Sequence, residues 1–355
     1  MFDFSSVSGK VALGFDGIVD EVWEVVDKRY DKDNYKVIEK MNDYGCLITD
    51  RKAGGLSKER VFKRQNCGGF TGNTGRAVSA LLGGTTLIGR YGTPELDPNF
   101  QELSKKCHII SMSSPAKCFI LEFSDGKIMM TNTQALLGLT WEELVDKITL
   151  PVMDEIFETV DIICMGYWCD MPDFDTIISN LANRYPDKPF FFDFGNVTKR
   201  SVQALKDTFL GLSKISNYKI LSMNEHEGAY LLTSYEVPFE DNAESLKEAV
   251  SAVRGQIGVD ELIVHDPRYA VISSGLGEFV APQIYVDKPI RTAGAGDTFN
   301  AGYVFGLLGV YDMKKRLDIA NANSRFFLKN GYPPNTEELC REFRAHIEHL
   351  SEKNP

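Results

Sequence analysis

A chain of 355 residues, 43% hydrophobic and 25% charged, is long enough to bury a substantial core and too long to be a peptide-sized binding module. A formal charge of −11 argues against nucleic acid as the main partner, because a phosphate backbone calls for clustered Lys and Arg. No apolar run of about 18 residues suggests a membrane span, and MFDFSSVSGKVALGFDG lacks the basic flank and apolar stretch of a signal peptide, so a cytoplasmic protein with no membrane partner is expected. Seven cysteines, an odd set without a Cys-x-x-Cys pair, read as reduced thiols, several of them in the core.

In chain order, apolar and β-branched runs predict strands at Lys10–Phe15, Thr86–Gly89, Ile162–Gly166, Pro189–Asp193, Lys219–Ser222 and Glu261–Val264. Helical patterns at Thr71–Leu82, Asp173–Arg184, Lys199–Leu210, Glu225–Leu232 and Ala243–Gln256 follow most of them. The alternation predicts an α/β fold, a doubly wound, mostly parallel sheet with helices on both faces. In such sheets ligands gather beyond the carboxyl ends of the strands. Segments 17–30 and 113–131 break the alternation and read as strands without intervening helices, the second a hairpin around Ser124-Asp125-Gly126. Together they predict a small β lid on a single domain spanning 1–355. Residues 34–66 read as a polar insertion, with a helical stretch near Tyr35–Ile48 and a basic loop at Arg60–Arg64. Glu337–Leu350 reads as a surface helix.

Four motifs stand out, two of them, at Asp16–Asp20 and Asn224–Glu227, just after predicted strands. Asp16 and Asp20, four residues apart, can each accept two hydrogen bonds from a polyol, although a turn-forming Asp16 and a solvated Asp20 fit the residues equally well. Gly68-Gly69-Phe70-Thr71-Gly72-Asn73 opens a helix, lets a ligand approach the backbone, and offers the Asn73 amide. Asn224-Glu225-His226-Glu227 suits a helix capping box. In Arg291-Thr292-Ala293-Gly294-Ala295-Gly296-Asp297, small residues bring several N–H groups to the positive end of a helix, a phosphate cradle, and Asp297 is placed either to cap that helix or to take a proton from a hydroxyl.

In these motifs the sequence resembles the ribokinase-like carbohydrate kinases, the PfkB family. Thr292, Gly294, Ala295, Gly296 and Asp297 match five positions of the family's second signature, roughly Asp-Thr-x-Gly-Ala-Gly-Asp. Gly68, Gly69 and Asn73, with small residues after them, resemble its first, Gly-Gly-x-x-x-Asn, and Asn224 and Glu227 match its Asn-x-x-Glu. The resemblance covers residues 10 to 330 and implies a sugar or nucleoside kinase that moves the γ-phosphoryl group of ATP, with Mg²⁺, to a substrate hydroxyl. It implies Asp297 as base, with Gly294, Ala295 and Gly296 beside it in an anion hole spanning 293–296. Asp16, Asp20, Gly68, Gly69 and Asn73 are implied to hold the acceptor. Thr292, Ala293, Asn224 and Glu227 are implied to serve the nucleotide, Glu227 facing the metal through water, and Asn323 to border the adenine.

Two departures stand out. Arg291 replaces the signature's leading Asp, which in many members helps hold a monovalent cation, so the resemblance does not carry over a K⁺ requirement. His265-Asp266-Pro267-Arg268-Tyr269 replaces a glycine-bearing turn; His265 and Arg268 either reach the nucleotide phosphates or form an ordinary surface turn. The rival reading is a non-catalytic sugar- or nucleotide-binding protein that keeps the kinase fold. Open lid edges make a homodimer an expectation as well.

Overall fold

The computed structural model describes residues 3–51 and 53–353. Its strands are β1 (Lys10–Gly14), β2 (Ile18–Arg29), β3 (Tyr35–Val37), β4 (Arg60–Gly68), β5 (Gly84–Gly89), β6 (His108–Ser111), β7 (Ala116–Phe123), β8 (Gly126–Asn132), β9 (Ile162–Gly166), β10 (Phe190–Asp193), β11 (Lys219–Asn224), β12 (Glu261–His265), β13 (Tyr269–Ser274) and β14 (Gly277–Pro282). Nine of them form one sheet in the order β14-β13-β12-β11-β10-β9-β1-β5-β6, parallel from β12 to β6 and antiparallel at the β13–β14 edge. The six predicted strands all lie in it.

Alternation along these strands feeds two apolar layers, as expected of a sheet covered on both faces. On one side Ala12, Ile163, Phe192 and Leu221 pack with helix residues such as Ile177, Leu205 and Val250. On the other, Val11, Leu13, Phe191 and Ile220 pack with Val78, Tyr303 and Ile319. Chain order reverses beside β1, where β5 lies on one flank and β9 on the other. Such a reversal opens a crevice past the carboxyl ends of the central strands.

A second, five-stranded sheet has the order β3-β2-β7-β8, with β4 also paired to β2. Strands β2 and β7 run parallel and the other pairings are antiparallel. The expected basic loop at Arg60–Arg64 is instead the start of β4, which sets Asn66 opposite Asp20 and Gly68 opposite Ile18. The stretch expected to be helical near Tyr35–Ile48 divides into β3 and a helix at Met41–Thr49. Charge disguised β4, most of whose side chains are exposed; Lys and Arg on an exposed strand also discourage pairing with other chains. Aromatic contacts fix its register: Phe62 meets Trp23 edge-on at 5.2 Å, and the Arg60 guanidinium lies 4.3 Å from the Trp23 ring and 4.5 Å from that of Phe119.

Candidate active site

The chain passes between the two sheets at β1–β2 and again where β4 enters the Gly69–Leu81 helix, and Asp16, Asp20, Gly68 and Gly69 lie at these crossings. Asp16 is fully buried; its Oδ1 accepts from the Thr71 N–H at 2.9 Å, while Oδ2 has no partner. Burial pushes its pKa up to about 6 against those hydrogen bonds. Gly69 has φ +77°, and a Cβ there would lie 2.0 Å from Asp16 Oδ2, so glycine is required twice over. At Gly68 a Cβ would lie 2.4 Å from Asp20 Oδ2. No donor among the described residues hydrogen-bonds the Asp20 carboxylate. Burial raises its pKa, opposed by the charges of Lys127, Arg291 and Arg76.

The Ala295–Leu308 helix begins at Gly294, φ +97°, which turns the loop into its first turn. The Ala295 N–H is spent on the Thr292 carbonyl at 3.1 Å, whereas those of Ala293, Gly294, Gly296 and Asp297 meet no backbone acceptor. Free N–H groups at a helix start form a ready anion site. Asp297 stands on the first turn and accepts from Thr74 Oγ1 at 2.9 Å. A little of its surface stays accessible, yet protein surrounds it so closely that burial, with the charge of Asp193, pushes its pKa up to about 8. Tyr167, itself partly buried, feels the charges of Asp16, Asp20 and Asp297 together.

Asn224 caps the Glu225–Ser234 helix through Oδ1, accepting from the N–H groups of His226 and Glu227, and Glu227 Oε2 accepts in turn from the Asn224 N–H at 3.1 Å. The capping box is therefore formed. Burial, then the charge of Asp193 and more weakly that of Asp297, pushes Glu227 up to about 8. Asp193, at the carboxyl end of β10, accepts from the Gly195 N–H and from Asn300 Nδ2 at 2.8 Å. Burial raises its pKa too. Three carboxylates thus confront one another with no cation paired to any of them among the described residues, an environment that suits a divalent ion. Among the described residues, no three His, Cys, Asp or Glu side chains converge closely enough to ligate a metal directly. Contact through water, as Mg²⁺ commonly makes, fits both observations.

Other sequence-predicted residues are placed differently. Asn323 is fully buried and donates from Nδ2 to the Thr298 carbonyl at 2.6 Å, tying two helices together and leaving it with no surface to offer an adenine. His265 stacks on Phe299 with ring centroids 4.4 Å apart, and burial holds its pKa down to about 4; it is a neutral support beneath Gly296. Arg268 pairs with Asp266 and Asp241 and closes its own turn. Thr292 is exposed at the rim, and Asn73 accepts from Arg76 Nη2 at 2.7 Å. Thr74, Arg76, Tyr167, Asp193 and Asn300 were not anticipated from sequence. For Asp193 the usable signal was its place at the end of a strand.

Known proteins resemble this chain over nearly its whole length. The family model for prokaryotic ketohexokinase matches residues 4–346. A ketohexokinase of Haloferax volcanii is 25% identical over 341 residues, 93% of this chain and 90% of that one. Among solved structures, Xylella fastidiosa fructokinase with bound ATP superposes with a TM-score of 0.67 at 15% identity, covering 97% of this chain and 99% of that one. Arabidopsis thaliana ribokinase complexed with ribose and ATP superposes with 0.65 at 15%, covering 95% and 99%. These likenesses fix the fold. Given the family match over nearly its whole length, the chain belongs to the prokaryotic ketohexokinase family and is a ribokinase-like, ATP-dependent carbohydrate kinase.

Proposed function

We propose that this kinase transfers the γ-phosphoryl group of ATP to a hydroxyl of a keto-sugar, with Asp297 as general base. The observation that carries the reading is Asp297 at the mouth of a helix with free N–H groups, with Asp20, a carboxylate without a hydrogen-bond donor among the described residues, acting with it on the same Tyr167. The relatives' names supply the keto-sugar. Asp20 and Asp16 Oδ2 would accept from its hydroxyls, with Asn73 beside them. Asp297 takes the proton of the attacking hydroxyl; Thr74 fixes its carboxylate. The N–H groups of Ala293, Gly294 and Gly296 hold the charge of the transferred phosphoryl, because this chemistry depends on alignment and electrostatics. Ala295 contributes shape, since its own N–H is engaged. Asn224, Glu227 and Asp193 would face Mg²⁺ through water, and the ion when bound offsets the charge of the nucleotide phosphates. The five-stranded sheet acts as a lid that excludes water. Its outer strand β8, with Met129 and Met130 half exposed, is the edge a second copy would cover.

The test is ADP release from Mg-ATP with a panel of keto-sugars, aldoses and nucleosides, alongside nucleotide binding to Asp297→Asn. Sugar-dependent turnover, lost in the variant while nucleotide binding persists, is the expected result. ATP and sugar binding without turnover in the native chain would instead establish the non-catalytic alternative.

A further inference from the structure

One face of the small sheet carries a polar row that its packing does not explain. Asp20 lies opposite Cys118 on β7 and opposite Asn66 on β4, and Cys118 lies opposite Thr131 on β8. Residues in register on neighbouring strands project from the same face, so Asn66, Asp20, Cys118 and Thr131 form a line across four strands. The rows on either side bring Ile18 and Ala116, then Val22 and Ile120. All four pack in the apolar layer that also holds Ile163, Phe192 and Leu221 of the large sheet, so this face is turned inward. Gly68, opposite Ile18, adds no side chain to it, and Asp20 lies over that bare backbone.

Three members of the row hold hydrogen-bonding capacity that the protein leaves unused. Neither the Asp20 carboxylate nor the half-buried Asn66 amide has a hydrogen-bond partner among the described residues. Thr131, also half-buried, donates its O–H to Cys118 Sγ at 3.3 Å, so toward a ligand it offers lone pairs. Cys118 is buried, and burial raises its thiol pKa, which leaves it a small neutral floor between Asp20 and Thr131. Polar groups on an inward face are costly without partners, and here a ligand would supply them. Neighbouring strands lie about 4.8 Å apart, so the backbones bearing Asp20 and Thr131 are about 10 Å apart. A hexose ring fits between those two side chains with a hydrogen bond at each end.

We propose that this row reads the acceptor: the sugar ring lies over Cys118 with one hydroxyl on Asp20 and Asn66 and another, across the ring, on Thr131, which thereby selects among keto-sugar epimers. The proposal rests on the keto-sugar kinase reading above and narrows it to a specificity-determining residue. Asp20 and Thr131 accept from the two hydroxyls. Asn66, the one member with free N–H groups, donates to the hydroxyl that Asp20 binds. A neutral polyol satisfies every group in the row.

Initial rates with Mg-ATP test it, using D-fructose and its epimers at carbons 3, 4 and 5, D-psicose, D-tagatose and L-sorbose. Thr131→Val keeps the shape and strand preference of the side chain and removes only the hydroxyl. It should raise KM for the preferred sugar roughly 3- to 10-fold, as expected for one hydrogen bond, and erase the discrimination against one epimer with the nucleotide KM unchanged. Thr131→Ser should restore that discrimination. Asn66→Ala should raise KM for all four sugars and keep their ranking. Lys117→Ala, next to Cys118 and therefore on the opposite face, should alter neither. An epimer ranking unchanged in Thr131→Val, or sugar KM values unchanged in Asn66→Ala, overturns the proposal; if the valine variant does not fold, Thr131→Ala decides in the same way. Thermal shift separates this from failure of the kinase reading. If the native chain phosphorylates none of the sugars, stabilisation by a keto-hexose that is lost in Thr131→Val upholds the row while the kinase reading falls. Absence of that stabilisation overturns the row as well.

Discussion

Replacing Asp297 with Asn should move activity and stability in opposite directions. The carboxyl group is pushed from an ordinary value of 3.8 up to about 8, by burial first and by Asp193 second. An acid whose pKa is raised by folding contributes stability that is complete below pH 3.8 and is lost as pH rises through about 8. At pH 7 the proton is still mostly bound, and holding it there costs at most on the order of 4 kcal/mol relative to the unfolded chain. Residual solvent access and sharing with Asp193 and Glu227 reduce this to about 1–2 kcal/mol. Asn is neutral and keeps an oxygen for the Thr74 hydroxyl, so it escapes the cost and the hydrogen bond survives. For a chain of this size the gain corresponds to a Tm higher by roughly 2 °C at pH 7, widening toward pH 9. Loss of a general base lowers kcat by about 10²–10⁴-fold. Differential scanning calorimetry of ligand-free protein at pH 6, 7.5 and 9, with initial rates on the same preparations, reads both effects. A variant that melts lower than the parent, or that keeps kcat within about tenfold, refutes the argument.

The remaining expectations concern the same crevice. Gly69→Ala forces a Cβ to 2.0 Å from Asp16 Oδ2 at a φ of +77°, so Tm should fall and the acceptor KM rise, with the nucleotide KM nearly constant. Mg²⁺ binding at pH 7.5 should release protons, because an added cation pulls Asp297 and Glu227 back down from about 8; calorimetry in two buffers of different ionisation enthalpy measures the number, and zero release would remove the carboxylate cluster from the metal's surroundings. Asp193→Asn should weaken Mg²⁺ binding and lower the pKa of Asp297, visible as an acid limb of the rate profile shifted to lower pH. Turnover should be the same in K⁺ as in tetramethylammonium salts, since Arg291 already occupies the Ala293 carbonyl.

The parts of the site that were legible in sequence are those whose chemistry is local. Small residues before an apolar helix with an acid at its first turn, as at 293–297, have few alternative uses, and Asn224 and Glu227 sit at the spacing their capping box requires. Parallel strands were equally plain because burial on both faces leaves runs such as Val11-Ala12-Leu13. What escaped depends on contacts distant in sequence. Strand β4 reads as a basic loop until its pairing with β2 gives Phe62 and Arg60 an aromatic partner. Thr74 sits on a helix of small residues, and nothing nearby in the chain says that Asp297, more than 200 positions on, accepts from its hydroxyl. Asn323 looked like a polar probe of a ligand because sequence does not reveal which helix lies across from it.

Asp16 abuts Gly69 and Asp20 abuts Gly68, so the two places where the polypeptide steps from the large sheet to the small one are pressed against each other through carboxylates. If Asp16 and Asp20 hold the sugar as proposed, its hydroxyls would brace both joints at once. On that reading recognition and closure of the roof would be one mechanical coordinate, and a sugar analogue lacking one hydroxyl would loosen both.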